Sequence, residues 1–474
     1  MPASFAFSDL QIILIMGIFV ALAAVLLGKV NGKEPPQQLR FRKYLHILAC
    51  GACTVSAALL SQQQLLIPAV LIAEMVLLYL VIKRDFFTIN GEKSYGIVLF
   101  PLAFLVLLLL FPHPKEKVFI VGPMGFLALC DAMAALVGMR FASRHFILTG
   151  DKKSWQGAVA FWVTGIAWML LLRFWGFQTG TAPWVFLAGA AGISSIAACA
   201  ELMGSKGRDN LWIPLITAWL LYVWSQQASV TFVSTMWLSF LLIPAGILAC
   251  YRKWLSASGT VAALFLGMTI LISGFSLWPM LLFFLTGSVL SKLPGGKSSD
   301  AKSGKARDHI QVFSNGGVAL MLAIANSVKP LPVWEYLYII TAAVACSDTW
   351  SSEIGQRFSK TAFDLRRFRL VPAGLSGCIS VQGTLAAIAG AACIAVFANT
   401  REQMFAFLLW GFAGSLLDSL LGAFLQARYG QEIQHDMGVG KPTQGFAAIS
   451  NDVVNALSSA GIAGIAAMGL LLNQ

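Results

Sequence analysis

Charge is what this sequence has least of. Only 11% of its 474 residues are Asp, Glu, Lys or Arg, against 58% hydrophobic, and the mean hydropathy is +0.76. A soluble domain carries roughly a quarter charged residues, so a soluble globular protein is excluded. A cleavable leader is not expected either: the first apolar run, LQIILIMGIFVALAAVLLG, has no basic residue before it and several after it. That is the reverse of a signal peptide, and the run reads as a retained helix with its N-terminus outside. No Walker motif is present. The nearest approach, KLPGGKSSD (292–300), has Ser291 where the first glycine belongs and no strand before it. Metal-type cysteine spacing is also lacking. The eight cysteines are scattered, and Cys50 and Cys53 form a lone C-x-x-C without a second pair, which reads as small core residues.

What is there is a succession of apolar runs long enough to cross ~30 Å of hydrocarbon. They predict an all-α polytopic membrane protein with about 16 spans in two related halves, 1–228 and 229–474. Alternating from an outside N-terminus, the inner loops collect 28 of the 33 Lys and Arg residues, the asymmetry expected of cytosolic loops. The net charge of +12 is therefore mainly a topology signal. It suits anionic lipid or phosphate, and nothing in it points to nucleic acid. The expected setting is a bacterial-type inner membrane.

Against so little charge, a few acids inside apolar runs stand out: LCDAMAALVG (129–138), ACSDTWSSEIG (345–355), SLLDSLLGAF (415–424) and AELMG (200–204). An ionisable residue at membrane depth costs several kcal/mol unless paired or hydrated, so function is its default reading. Asp131, Glu201, Asp348 and Asp418 each adjoin an inner loop carrying Lys or Arg. Asp131 lies nine residues before Arg140, roughly 13–15 Å below the cytosolic boundary at 1.5 Å per residue. Glu74 and Glu335 lack such surroundings and read as structural.

The polar punctuation recurs in order. Asp131-x6-Gly138 matches Asp348-x6-Gly355, SWQGAVAF (154–161) matches SVQGTLAA (380–387), and AELMG is echoed by LDSLLG (417–422). Looser flanks agree: RKYLHI and RDHIQVF (307–313) before the set, DNLWIP (209–214) and NDVVNAL (451–457) after it. Positions i, i+3, i+4 and i+7 share a helix face. Small residues below each Asp then let another helix or a ligand phosphate come close. An internal duplication with oxygen ligands beside basic, Gly- and Ser-rich loops suits Mg²⁺-nucleotide chemistry.

The first half resembles the CTP-dependent polyprenol kinases, the phytol and dolichol kinase family, through RKYLHI, DAMAALVGMRF, KKSWQGA (152–158) and AELMGSKGRDNLWIPL (200–215). The resemblance implies that Asp131, Lys152, Lys153, Ser154, Gly157, Glu201, Asp209 and Asn210 line a CTP and metal site. The second half is similar to the phytyl-phosphate kinase family of integral membrane proteins, through GTVAALFLG (259–267), RDHIQVFSNGG (307–317), SDTWSSEIG, GCISVQGT (377–384), GSLLDSLLGA (414–423) and NDVVNAL. It implies a site of Asn315, Asp348, Thr349, Ser352, Glu353, Asp418, Asn451, Asp452 and Asn455, with Arg307 and the 292–309 loop drawing in phosphates. Two departures stand in the first half, Cys130 and Ala142 where the family has Gly. One stands in the second, VPAGLSG (371–377) in place of an Asn-Gly-Gly run.

The expected function is a bifunctional kinase. It takes a prenol of the phytol or geranylgeraniol type to the monophosphate with CTP and then to the diphosphate, an isoprenoid salvage route. Asp131, Glu201, Asp348, Glu353 and Asp418 are the expected catalytic residues. Metal falls to Asp131, Glu201, Asp348 and Asp418, with Mg²⁺ as the cofactor. Its partners are prenol and prenyl-phosphate lipids, a nucleoside triphosphate and the membrane. Two other classes fit less well: a CTP-dependent cytidylyltransferase making a CDP-lipid, and a secondary transporter with duplicated halves. Transporters hold substrate near the midplane, often between inverted repeats, whereas the motifs here gather toward one face.

Overall fold

The computed structural model describes residues 9–15, 17–18, 35–84, 88–89, 92–93, 95–142, 145–149, 151–293, 306–427 and 445–472. Most of the expected first span, the centre of the 292–309 loop, and the 427–444 loop beyond residue 427 lie outside them. The chain divides into two compact units, Met1–Trp237 and Leu238–Gln474.

The first unit runs α1 (Pro35–Leu59), α2 (Ile67–Arg84), a two-residue hairpin β1–β2 (Thr88–Ile89, Glu92–Lys93), α3 (Gly96–Leu110) and α4 (Val118–Gly125). A wide π-type turn, Phe126–Asp131, joins α4 to α5 (Ala132–Phe141). Then come the hairpin β3–β4 (His145–Ile147, Lys152–Ser154), α6 (Trp155–Phe174), α7 (Pro183–Met203), α8 (Asp209–Gln226) and α9 (Ser229–Ser239). The second unit contains α10 (Leu242–Tyr251), α11 (Ala257–Ile272), α12 (Trp278–Ser291), α13 (His309–Val328) and α14 (Pro332–Phe358). A three-stranded antiparallel sheet follows, ordered β6–β5–β7 (Arg369–Pro372, Thr361–Asp364, Cys378–Ile379). Helices α15 (Val381–Ala395), α16 (Arg401–Phe424) and α17 (Asn451–Leu472) close the unit.

Among the described residues, 7 helices are long and apolar enough to cross a membrane: Pro114–Phe141, Trp155–Phe174, Pro183–Met203, Ser229–Tyr251, His309–Val328, Arg401–Phe424 and Asn451–Leu471. Six more apolar helices have 10–17 residues. Among the described residues the expected count of about 16 full-length spans is thus not reproduced. The reason is that several apolar runs fold as short helices, while α14, with 27 residues, carries too many polar groups for the apolar class.

Each unit contains the same close joint. Ser154 caps α6 by accepting the Gly157 N–H at 3.2 Å, and Ser380 caps α15 by accepting the Gly383 N–H at 3.1 Å. A Cβ on Gly157 would stand 2.7 Å from the Ala134 carbonyl oxygen, and one on Gly383 3.2 Å from that of Ser351. Glycine is what lets each capped helix lie against the helix bearing the Asp. Gly157→Val and Gly383→Val are each expected to cost about 1–3 kcal/mol by overpacking, read as a lowered Tm in detergent. An unchanged Tm in either would mean the joint is not close-packed.

Packing contradicts one of the looser flank matches. RKYLHI lies on α1, which packs on α4 and the π turn, whereas RDHIQVF opens α13, which packs on α14 and α17. By its partners α13 takes the place that α3 takes between α4 and α8. A basic-apolar hexapeptide carries too little pattern to fix a helix's position.

Candidate functional sites

In the first unit the chain turns polar where α1, the π turn, β4, α7 and α8 meet. Asp131 ends the π turn and is 2% exposed, and Glu201, near the end of α7, is 6% exposed. Such single-turn bulges mark functional sites more often than ordinary helix does. Lys43 Nζ donates to Asp131 Oδ2 at 2.8 Å, and His46 Nε2 lies 3.6 Å from the same oxygen. Lys153 Nζ donates to Glu201 Oε1 at 2.7 Å and to the Glu201 carbonyl at 2.9 Å, with Asp209 Oδ2 at 3.8 Å. Three carboxylates therefore face two ammonium groups. Burial alone would lower the Lys153 pKa, but Glu201 and Asp209 outweigh it and hold the pKa above the ordinary lysine value. Lys153 stays charged at neutral pH.

Strand alternation separates the two adjacent lysines of the KKS strand: Lys153 turns into the acids, while Lys152 is exposed. Ser154 and Gly157 form the helix joint. Asn210 Nδ2 donates to the Gly96 carbonyl at 2.7 Å, tying the start of α8 to the start of α3. Lysine nitrogens stand beside Asp131 and Glu201, where the metal assignment placed a cation.

In the second unit α13, α14, α16 and α17 bring together a different set. The Asp348 and Asp418 carboxyl groups are close neighbours. Ser458 Oγ donates to Asp418 Oδ1 at 3.1 Å. The Asn455 amide sits between Asp418 and Asn315. In one orientation it donates to Asn315 Oδ1 at 3.4 Å, and in the other to Asp418 Oδ1 at 3.2 Å and the Asn451 carbonyl at 3.0 Å. Among the described residues neither aspartate has an ion-pair partner of the kind Asp131 has. Two carboxyl groups this close repel unless a proton or a cation is shared. An all-oxygen set of carboxylate, amide and hydroxyl groups suits a hard divalent cation. Among the described residues no group of three or more His, Cys, Asp or Glu is arranged to hold a metal, so the fit at this place rests on two acids with amide and hydroxyl neighbours.

The remaining expected residues stand around this set. Thr349 follows Asp348 and adjoins Gly287, where the Arg307 guanidinium also lies. That guanidinium stacks over Phe283 at 5.8 Å. Glu353 is paired with Arg357, whose other nitrogens donate to the Leu293 and Ser291 carbonyls. Glu353 therefore braces α14 against α12. Ser352 is exposed, and Asp452 is half-buried in the first turn of α17.

Sequence reasoning missed Lys43, His46 and Ser458 as site residues. Lys43 and His46 sit at i and i+3 of α1, and Cys50 Sγ lies 3.6 Å from His46 Nε2 on the same face. A basic pair at helical spacing inside an apolar helix was the available signal. Ser458 looked like any small residue of a membrane helix.

Buried carboxylates near one end of apolar helices, with basic, amide and hydroxyl partners, define a polytopic membrane protein with internal polar sites. The chain belongs to the DUF92 family of integral membrane proteins, whose pattern matches residues 240–463. An uncharacterised membrane protein of Synechocystis sp. is similar at 30% identity over 226 residues, 44% of this chain and 85% of that protein. Protein PGR of Arabidopsis thaliana is 31% identical over 251 residues, 44% of this chain and 86% of that protein. Protein VTE6, chloroplastic, from the same plant, is 26% identical over 221 residues, 43% and 62% of the two chains. No solved structure matches the chain.

Proposed function

We propose that the chain is a membrane-embedded phosphotransferase with two sites in series, the first making a prenyl monophosphate from a prenol and CTP, the second making the diphosphate. One observation carries this most: the half-buried Asp348–Asp418 pair, with Asn315, Asn455 and Ser458 beside it, gathers oxygen ligands among apolar helices in the unit that the family match covers.

The bilayer gives such sites a physical reason. A twenty-carbon prenol at ~0.8 kcal/mol per CH₂ stays in the membrane, and a nucleoside triphosphate stays in water. Reaction then occurs a turn or two below the surface, at the end carrying the basic loops, which faces the cytosol. In the first unit the prenol oxygen attacks the γ-phosphorus of CTP, the bond to the β–γ bridging oxygen breaks, and CDP leaves. The hydroxyl proton passes to a carboxylate of the Asp131–Glu201–Asp209 set, while Lys43 and Lys153 offset phosphate charge. In the second unit a monophosphate oxygen is the nucleophile and the same bond of the donor breaks. Asp348 and Asp418 would hold Mg²⁺ there, which would supply charge neutralisation for the triphosphate. A tether between the sites keeps the amphiphilic monophosphate at high effective concentration.

Labelled CTP tests this. With purified protein and a prenol, the γ-phosphate label is expected in the lipid and the cytosine label in free CDP. Cytidine retained in the lipid would reject the kinase in favour of a cytidylyltransferase.

A further inference from the structure

The sheet between α14 and α15 carries side chains that neither catalytic set uses. Its β5–β6 turn is pinned by hydrogen bonds: the buried Asp364 carboxylate accepts the N–H groups of Arg366 at 2.9 Å and Arg367 at 3.2 Å. Phe368 closes the turn in the left-handed region at φ 49°, which favours glycine or asparagine. The turn therefore holds an outward-facing apolar patch in place. Phe368 is 77% exposed and Leu370 70%, and Leu370 pairs across the strands with exposed Phe363. Lys360, Arg366, Arg367 and Arg369 are all exposed around it.

Beside the patch is an open groove of about 450 Å³, with walls that include Phe358, Lys360, Phe363, Leu370 and Val381. Val381 continues down α15 as a stripe with Leu385 and Ile388, at i, i+4 and i+7, and the first two are 73% and 64% exposed. Apolar side chains so exposed on an apolar helix face lipid. The groove thus opens into the acyl region along the stripe, while Lys360 stands on its wall and the exposed Arg366, Arg367 and Arg369 lie along the neighbouring turn and strand.

We propose that this groove binds an anionic phospholipid of the surrounding leaflet, with the phosphate under Lys360, Arg366, Arg367 and Arg369 and an acyl chain along Phe363, Leu370 and the α15 stripe. Charge complementarity selects an anionic headgroup, since basic clusters next to a membrane helix attract one. The apolar wall selects a lipid over a free phosphate. The site is separate from the carboxylate sets and does not depend on their reaction.

The test is lipid binding to full-length detergent-purified protein, read by native mass spectrometry with phosphatidylglycerol and phosphatidylcholine of equal chain length. Phosphatidylglycerol is expected to bind at least about tenfold more tightly, because basic residues near a membrane surface attract anionic headgroups. A variant carrying Lys360→Gln, Arg366→Gln, Arg367→Gln and Arg369→Gln is expected to lose that preference. Phe368→Asn with Leu370→Ser, which respects the left-handed turn, is expected to weaken both lipids. All six residues are exposed, and an unchanged Tm excludes misfolding. Equal binding of the two lipids, or an unaltered preference in the quadruple variant, would overturn the proposal. So would displacement by glycerol phosphate as effective as by lipid, which would make this a soluble-anion site.

Discussion

Asp348→Asn is expected to abolish formation of the prenyl diphosphate while the monophosphate accumulates. Among the described residues no cationic side chain pairs with either carboxylate, and Asn at 348 removes one of the two acids without changing shape. Loss of one group that stabilises transferring charge costs about 10²–10³-fold in rate, and Asp418→Asn is expected to match it. Glu353→Gln is the control: it breaks the pair with Arg357 but not the acid pair. It should lower stability slightly and leave diphosphate formation within a few-fold of the starting protein. Thin-layer separation of labelled mono- and diphosphate reads all three. Equal losses in all three variants would mean that the helices, and not the acid pair, are being disturbed.

The second large effect belongs to Asp131. Asp131→Ala leaves the Lys43 ammonium inside the unit without its 2.8 Å partner, and breaking a buried pair on one side costs about 3–5 kcal/mol. Loss of activity alone would not separate a structural pair from a working one. The double variant Asp131→Asn with Lys43→Met does separate them. It removes both charges, and its Tm is expected to recover most of what Asp131→Ala loses. Prenol phosphorylation is expected to stay absent, because one acid of the proton-accepting set and one of the two ammonium groups that meet the phosphate are gone. Recovered stability with recovered activity would make the pair a strut between α1 and the π turn.

Much of the site was legible because of contrast. Asp131, Glu201, Asp348 and Asp418 are costly residues in apolar runs, and the small residues around the Asp-x6-Gly spacings are the ones that build the two helix joints. The coarse architecture, a helical membrane protein, followed from composition. What was not legible depended on contact. Lys152 and Lys153 are neighbours in sequence, and only the strand's alternation turns Lys153 inward. Lys43 and His46 lay in a segment valued as a flank. The lysines beside Asp131 and Glu201 come from other parts of the chain, α1 and β4, and only the fold brings them there. The β5–β7 sheet left no sequence signal, since strands of two to four residues leave no periodicity to detect.

The most direct measurement of the central claim is a time course with purified protein in nanodiscs, a labelled prenol and CTP with Mg²⁺. The account predicts that monophosphate appears first and is then consumed as diphosphate rises. No phosphorylated lipid from any prenol of about fifteen to twenty carbons, or diphosphate formed undiminished when both Asp131 and Asp348 are replaced by Asn, would contradict it.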